Sequence, residues 1–81
     1  MDLVELTLYI VRNLVTDPDM VSVKQFDDEE DVITIQVLVS ADDMGRVIGK
    51  GGAIANAIRT LVQASAYANK LPKVRINIDS I

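Results

Sequence analysis

All four glycines of this chain lie within the eight-residue segment Gly45-Arg46-Val47-Ile48-Gly49-Lys50-Gly51-Gly52. Glycine adopts positive φ angles without strain, and its missing Cβ lets a ligand come close to the main chain. Lys50 adds a positive charge, and a helical pattern follows the segment, so that backbone N–H groups and the positive end of a helix dipole can face an anion. These residue types therefore predict a site that binds phosphate groups.

The spacing of the glycines separates three kinds of phosphate site. A P-loop has four residues between its first glycine and the Gly-Lys pair and then Ser or Thr, whereas this segment has three and continues with Gly51. A dinucleotide-binding turn needs a glycine at the position of Ile54, and both motifs directly follow a strand. The pattern that fits is Gly-x-x-Gly between two helices, from Gly49 to Gly52.

Catalytic and metal-binding chemistry has few candidate residues here. The 81 residues include no His and no Cys, which excludes an imidazole base, a thiolate nucleophile, the usual zinc and iron–sulfur ligand sets and disulfides. Asp42 and Asp43 could form a carboxylate pair for acid–base catalysis, but a capping box that begins at Ser40 explains them without a pocket. The five acids from Asp27 to Asp31 lack the spaced ligands and turn glycine of a calcium loop. We expect no enzyme, no metal and no cofactor, and interpret the acidic run as a solvated hairpin tip.

The elements around these residues follow from periodicity. Apolar residues recur at helical spacing from Asp2 to Val15, where Asp17-Pro18-Asp19 ends the pattern. Alternation predicts a strand from Met20 to Phe26, and β-branched residues predict a second from Val32 to Val39. The acidic run joins these two strands.

The second half of the chain places the glycine segment between two helices. The capping box predicts a short helix that begins at Ala41 and stops at Gly49, and helical spacing resumes from Ile54 to about Asn69. Strict alternation from Lys73 to Asp79 predicts a last strand. The order αββααβ predicts an α+β fold in which a three-stranded sheet carries the helices on one face.

The glycine segment and the element order together resemble a known family. The run Val47-Ile48-Gly49-Lys50-Gly51-Gly52-Ala53-Ile54 resembles the signature of the KH domain, and the αββααβ order is similar to its bacterial type II form. Residues 45–50 with Ala57-Ile58-Arg59-Thr60-Leu61 resemble the KhpA family of small stand-alone KH proteins. The resemblance covers essentially the whole chain, so we expect one KH domain over residues 1–81.

The resemblance implies how such a chain would bind nucleic acid. In KH domains the Gly-x-x-Gly loop clamps about four nucleotides of a single strand, and the bases lie over a neighbouring apolar groove. Ile58, with Ile35 or Val37, is expected to complete the wall of that groove. Ala53 and Asn56 stand where relatives often carry a basic residue, which predicts weaker binding. The residues assigned to RNA contact are Arg46, Val47, Ile48, Gly49, Lys50, Gly51, Gly52, Ile54 and Arg59.

The charge of the chain is unevenly divided. The net charge of −4 argues by itself against a nucleic-acid ligand. Residues 1–43, however, hold eleven acidic and two basic residues, whereas residues 44–81 hold six basic and one acidic. The positive charge therefore lies in the half that carries the glycine loop, and the total limits affinity more than it limits ligand class.

Location and partners complete the expectations. No apolar run approaches the ~20 residues of a membrane span, and residues 1–5 lack the basic start of a signal peptide, so we expect a cytoplasmic protein with no membrane partner. The resemblance implies single-stranded RNA as ligand, pairing with itself or with a larger KhpB-like protein, and a role as RNA chaperone or post-transcriptional regulator linked to cell shape and the cell wall. The alternative is a protein-interaction or dimerisation module whose RNA binding is weak or vestigial.

Overall fold

The first helix is shorter than its sequence pattern predicts. The computed structural model describes residues 2–81, apart from the side chains of Asp28 and Glu29. Helix α1 spans Leu3–Arg12; the carboxylate of Asp2 caps it by accepting the Glu5 N–H at 2.7 Å. The predicted end at Val15 is wrong, because the chain leaves the helical path to direct the N–H groups of Thr16 and Asp17 to a distant carboxylate.

An antiparallel hairpin follows α1 and a 3-10 turn at Pro18–Met20. Strand β1 spans Ser22–Glu29 and strand β2 spans Val32–Val39, with an irregularity in the pairing between Phe26 and Glu29. The bounds of β2 are those predicted. The acidic run does not form the tip as a whole, because strand pairing carries β1 to its third acid and leaves a two-residue turn at Glu30 and Asp31, whose φ is 62°. The side chains of its second and third acids lie outside the described part.

The last strand completes a mixed sheet. Strand β3 spans Lys73–Ser80 and pairs in parallel with β2 at all eight positions, which gives the order β1-β2-β3. Alternate residues of β2 are buried, so one face of the sheet packs on the helices. The predicted α+β class and αββααβ order are confirmed. The buried apolar core consists of Leu3, Val11, Val21, Ile33, Ile35, Val37, Val39, Val47, Ala55, Ile58, Val62, Ala66 and Ile76.

Two helices and two 3-10 turns lie between β2 and β3. The chain forms a 3-10 turn at Ala41–Asp43, helix α2 at Met44–Ile48, a second 3-10 turn at Lys50–Gly52 and helix α3 at Ala53–Ala68. The predicted bounds of the long helix are therefore correct to within one residue at each end. None of the helices in residues 2–81 has the length and apolar character to cross a bilayer.

Candidate functional site

The loop between α2 and α3 depends on its first glycine. Gly49 has φ 75° and ψ 171°, a conformation that is essentially restricted to glycine. A Cβ at this position would lie 2.7 Å from Ile54 Cγ1 and 2.9 Å from the Ile54 backbone nitrogen. The chain thus packs its backbone directly against the first turn of α3, where a side chain would have no room.

The next two glycines open the loop toward solvent. Gly51 and Gly52 have φ of 63° and 80°, and the Gly52 N–H donates to the Gly49 carbonyl at 3.1 Å. Gly52 is the N-cap of α3 and supplies no side-chain acceptor, and the first turn of α3 has no acidic residue. The first N–H groups of α3 therefore have no side-chain cap and carry the positive end of the dipole of a 16-residue helix.

Lys50 is the exposed cation of this loop. Within residues 2–81 its ammonium group has neither a hydrogen bond nor an ion pair. A lysine held on a short turn, with its charge unengaged, is suited to contact an anion beside the start of α3. The arrangement can hold a phosphate between backbone N–H groups and a mobile positive charge.

The guanidinium group of Arg46 is held by two acidic residues of the same chain. Its Nη1 lies 3.4 Å from Asp43 Oδ1 and donates to the Asp42 carbonyl at 3.2 Å, while half of its side chain stays exposed. Asp43 itself is 1% exposed. Its Oδ1 accepts from the Thr16 N–H at 3.0 Å and the Thr16 hydroxyl at 2.8 Å, and its Oδ2 accepts from the Asp17 N–H at 3.2 Å.

These bonds correct the capping-box prediction. Ser40 makes no side-chain cap bond, and Asp43 does not reach back to it. The backbone N–H of Thr16 lowers the pKa of Asp43, with help from the Thr16 hydroxyl, the Asp17 N–H and the charge of Arg46, whereas burial acts to raise it. The carboxylate is thus held ionised and joins the segment after α1 to the start of α2.

We expect the hydrogen bonds and the ion pair of Asp43 to make the stability of the fold depend on pH. The pKa of Asp43 is lower in the folded chain than the ordinary aspartate value. The ionised carboxylate therefore contributes stability that is complete above the ordinary value and is lost as pH falls from there through the lowered pKa of the folded chain. The difference in urea midpoint between the wild type and Asp43→Asn should stay constant from about pH 7 to about pH 5 and shrink below about pH 4. The other acids are common to both chains, and a difference that keeps its size at about pH 3 would contradict the pairing.

The predicted contact residues fall into three groups by burial. Arg46, Lys50, Gly51 and Arg59 are exposed, and Ile48, Gly49, Gly52 and Ile54 are half-buried. Val47, which the sequence predicts as an RNA contact, is fully buried, and its side chain packs in the core. Ile58, Ile35 and Val37, expected to complete the groove wall, are core residues as well.

The apolar surface at the loop is therefore small. It consists of the half-buried side chains of Ile48 and Ile54 on either side of the glycines. Arg59 lies farther along α3, where its Nη1 donates to Asn56 Oδ1 at 3.2 Å. It also lines an open groove of about 580 Å³ between α3 and β3, together with Thr60, Gln63, Ala64, Tyr67 and Val74.

The prediction from sequence missed the structural role of Asp43, although the sequence contains a signal for it. Asp43 stands four residues before Val47, so the two share one face of a helical turn. An acid on the buried side of a turn needs partners from elsewhere in the chain. The identity of those partners depends on tertiary placement and could not be found from local pattern.

Comparison with known proteins agrees with this geometry. The family model "KhpA/KhpB, KH domain" matches residues 4–78. The chain is 47% identical over 66 residues to the RNA-binding protein KhpA of Caldanaerobacter subterraneus subsp. tengcongensis, covering 82% of this chain and 87% of that one. It is 46% identical over 74 residues to the RNA-binding protein KhpA of Listeria monocytogenes, covering 91% and 95%.

Solved structures share the fold at low identity. Era from Aquifex aeolicus, bound to GDP.AlF4−, superposes with a TM-score of 0.69 at 15% identity, covering 98% of this chain and 30% of that one. Era in complex with MgGDPNP and nucleotides of 16S ribosomal RNA gives a TM-score of 0.64 at 17% identity, covering 96% and 29%. The fold, the position of the glycine loop between α2 and α3, and the match over residues 4–78 lead to one conclusion. The chain belongs to the KhpA/KhpB KH-domain family.

Proposed function

We propose that this chain is a non-enzymatic RNA-binding protein, formed as a single KH domain, that holds single-stranded RNA at the loop from Gly49 to Gly52. One observation carries the proposal: the loop leads into a long helix whose first turn has no side-chain cap and no acid, beside an exposed lysine. Backbone N–H groups at a helix start bind phosphate without regard to base identity. The relatives named RNA-binding protein KhpA support the choice of RNA.

The loop and its neighbours have separate tasks in this proposal. Gly51 and Gly52 leave room for a sugar-phosphate backbone, and Lys50 supplies the mobile charge. The half-buried Ile48 and Ile54 offer the apolar contact for bases. Binding through phosphates makes affinity depend on salt, with a slope of about −0.7 per phosphate contact for a single strand.

The remaining cations contribute unequally. Arg46 reaches RNA only with the part of its side chain that is exposed beyond its bonds to Asp43 and the Asp42 carbonyl. Arg59 is exposed but bonded to Asn56. With Lys50 they give at most three phosphate contacts and a slope of about −2, so one domain binds weakly and gains from pairing.

The test reverses the charge of Lys50 and places a side chain at Gly51. We expect Lys50→Asp with Gly51→Asp to weaken binding to a single-stranded RNA pool at low salt at least about tenfold, because it puts two carboxylates where a phosphate would lie. Gly51 tolerates the change, since a Cβ there meets nothing within 4 Å and aspartate is among the residues that adopt φ near 63°. Binding is measured by fluorescence anisotropy, and folding by circular dichroism.

A control of equal charge change uses the other end of α3. Asn69→Asp with Lys70→Asp alters the net charge by the same amount, and Lys70 also has a positive φ of 58°. That control should keep most of the binding. If the folded loop variant still binds RNA as the wild type does, the loop from Gly49 to Gly52 is not the RNA site.

The alternative function has its own support. With Val47 and Ile58 buried and Arg46 bonded to Asp43, the contact surface at the loop is small, which favours a dimerisation module with weak RNA binding. A wild type that binds no RNA, alone or with a KhpB-like partner, would favour this alternative.

Membership of the family supports a proposal about the wider role. We propose a cytoplasmic RNA chaperone or post-transcriptional regulator, pairing with a second copy or with a larger KhpB-like protein and linked to control of cell shape and the cell wall. Deletion of the gene, with transcript half-lives and cell dimensions as readouts, tests that role.

A further inference from the structure

The outer edge of β3 has neither the proline nor the bulge that often interrupts pairing at a sheet edge. Among the described residues β3 pairs with β2 alone, and it does so over eight residues without a bulge. Its sequence from Lys73 to Ser80 contains no proline. The other edge, β1, carries an irregularity after Phe26 and a run of acids, both of which discourage pairing. The two edges of the sheet therefore differ in their readiness to pair.

The hydrogen bonds show which groups of β3 point outward. The Ile81 N–H donates to the Val39 carbonyl at 2.9 Å, so odd-numbered residues face β2. The Val74 N–H instead donates to the side-chain oxygen of Gln63 at 2.9 Å, which caps the start of the outer edge. Because backbone direction alternates along a strand, Ile76 and Ile78 also point their N–H and C=O groups outward. The middle of the outer edge thus presents the N–H and C=O groups of Ile76 and Ile78, which follow the capped Val74 along the strand.

We propose that a second copy of this chain adds to this edge in antiparallel orientation, with the two-fold axis at Asn77. In this register Ile76 of one copy exchanges both backbone hydrogen bonds with Ile78 of the other, and the symmetric pair does the same. The bond between Gln63 and Val74 stays intact. The two three-stranded sheets become one sheet of six strands.

Charge complementarity selects a second copy as the occupant. On the sheet face away from the helices, the edge is basic at Lys73 and Arg75 and acidic at Asp79. A two-fold axis at Asn77 sets Arg75 of each copy opposite Asp79 of the other, which gives two opposite-charge pairs. On the helix face the same register sets Ile76 against Ile78. The edge is thus complementary to itself when it is turned around.

This inference rests on the pairing proposed above and names the surface that carries it. A symmetric pair would hold two glycine loops in one assembly. Two weak sites on one RNA strand bind more tightly than either alone, by an amount set by the span between them.

The test reverses and then restores the charge pairs. Arg75→Asp and Asp79→Lys each change an exposed residue, and each sets like charges opposite one another twice across the axis. We expect each variant alone to raise the dimer dissociation constant about tenfold or more. An equimolar mixture of the two should dimerise like the wild type, because the mixed pair restores both opposite-charge contacts. Sedimentation velocity over a range of concentrations measures this, and Arg12→Asp and Asp19→Lys are matched controls on exposed residues away from the edge.

Amide exchange provides a second measurement at the edge itself. The N–H groups of Ile76 and Ile78 should exchange quickly in dilute or Arg75→Asp protein and slowly at concentrations where the wild type is paired. If the wild type dimerises but both single variants dimerise as well, the assignment of the β3 edge is wrong, although the chain does form a pair. The same holds if the Ile76 and Ile78 amides still exchange quickly in the wild-type dimer. A wild type that stays monomeric overturns both pairing and the edge, whereas the RNA-binding proposal is decided separately by the loop variant.

Discussion

Gly49→Ala is expected to destabilise the fold by about 3 kcal/mol, because the new methyl group meets backbone and the φ/ψ region excludes other residues. The nearest atoms to that methyl group belong to Ile54, including its main-chain nitrogen at 2.9 Å. Backbone cannot swing away as a flexible side chain can. The start of α3 would have to move, and urea denaturation followed by circular dichroism measures the loss.

Two other glycines serve as controls for this effect. Gly45 lies inside α2, where a Cβ meets nothing within 4 Å, so Gly45→Ala should stabilise by about 0.5–1 kcal/mol through reduced backbone entropy in the unfolded chain. Gly51→Ala has open space but a φ of 63°, and should cost about 1 kcal/mol. If Gly49→Ala costs no more than Gly51→Ala, the close contact with Ile54 does not determine the shape of the loop.

Asp43→Ala is expected to lower the melting temperature by about 10 °C or more. The substitution removes the acceptor of the three hydrogen bonds that join the backbone and hydroxyl of Thr16 and the backbone of Asp17 to the buried position 43. It also removes the ion pair of Arg46. Differential scanning calorimetry measures the shift.

The neighbouring acid gives the matched comparison. Asp42 is exposed and offers only its carbonyl to Arg46, so Asp42→Ala should shift the melting temperature by about 2 °C or less. Arg46→Ala should cost less than Asp43→Ala, since its contact with Asp43 is 3.4 Å long and half exposed. Equal shifts for Asp42→Ala and Asp43→Ala would mean that the bonds to Thr16 and Asp17 contribute nothing to stability.

Local pattern predicted the elements whose formation is decided locally. The β-branched run of β2 gave its bounds Val32–Val39, and the apolar period of α3 gave its length to within one residue at each end. The end of α1 and the acidic hairpin tip differ from their predictions, because the first depends on the bonds of Thr16 to Asp43 and the second on how far strand pairing extends.

The residues of the candidate site also include some that local sequence predicts and some that depend on tertiary packing. Glycine spacing and the adjoining helical patterns predicted the loop and its exposed Lys50, since both are matters of local sequence. The partners of Asp43 lie 26 and 27 residues away in sequence, and the burial of Val47 and Ile58 depends on how the helices pack. Residues at one helical spacing can face either the core or a ligand groove, and spacing alone does not separate the two.

The bond between Arg46 and Asp43 makes the loop helix and the N-terminal segment thermodynamically linked. A phosphate that attracts Arg46 competes with the Asp43 carboxylate, which also accepts hydrogen bonds from Thr16 and Asp17. A change that strengthens the interaction of Asp43 with Arg46 then makes Arg46 less available to a ligand. By thermodynamic reciprocity, a bound ligand weakens the interaction of Asp43 with Arg46 by the same factor. Substitutions at Thr16, far from the glycines in sequence, should therefore act as modulators of ligand affinity.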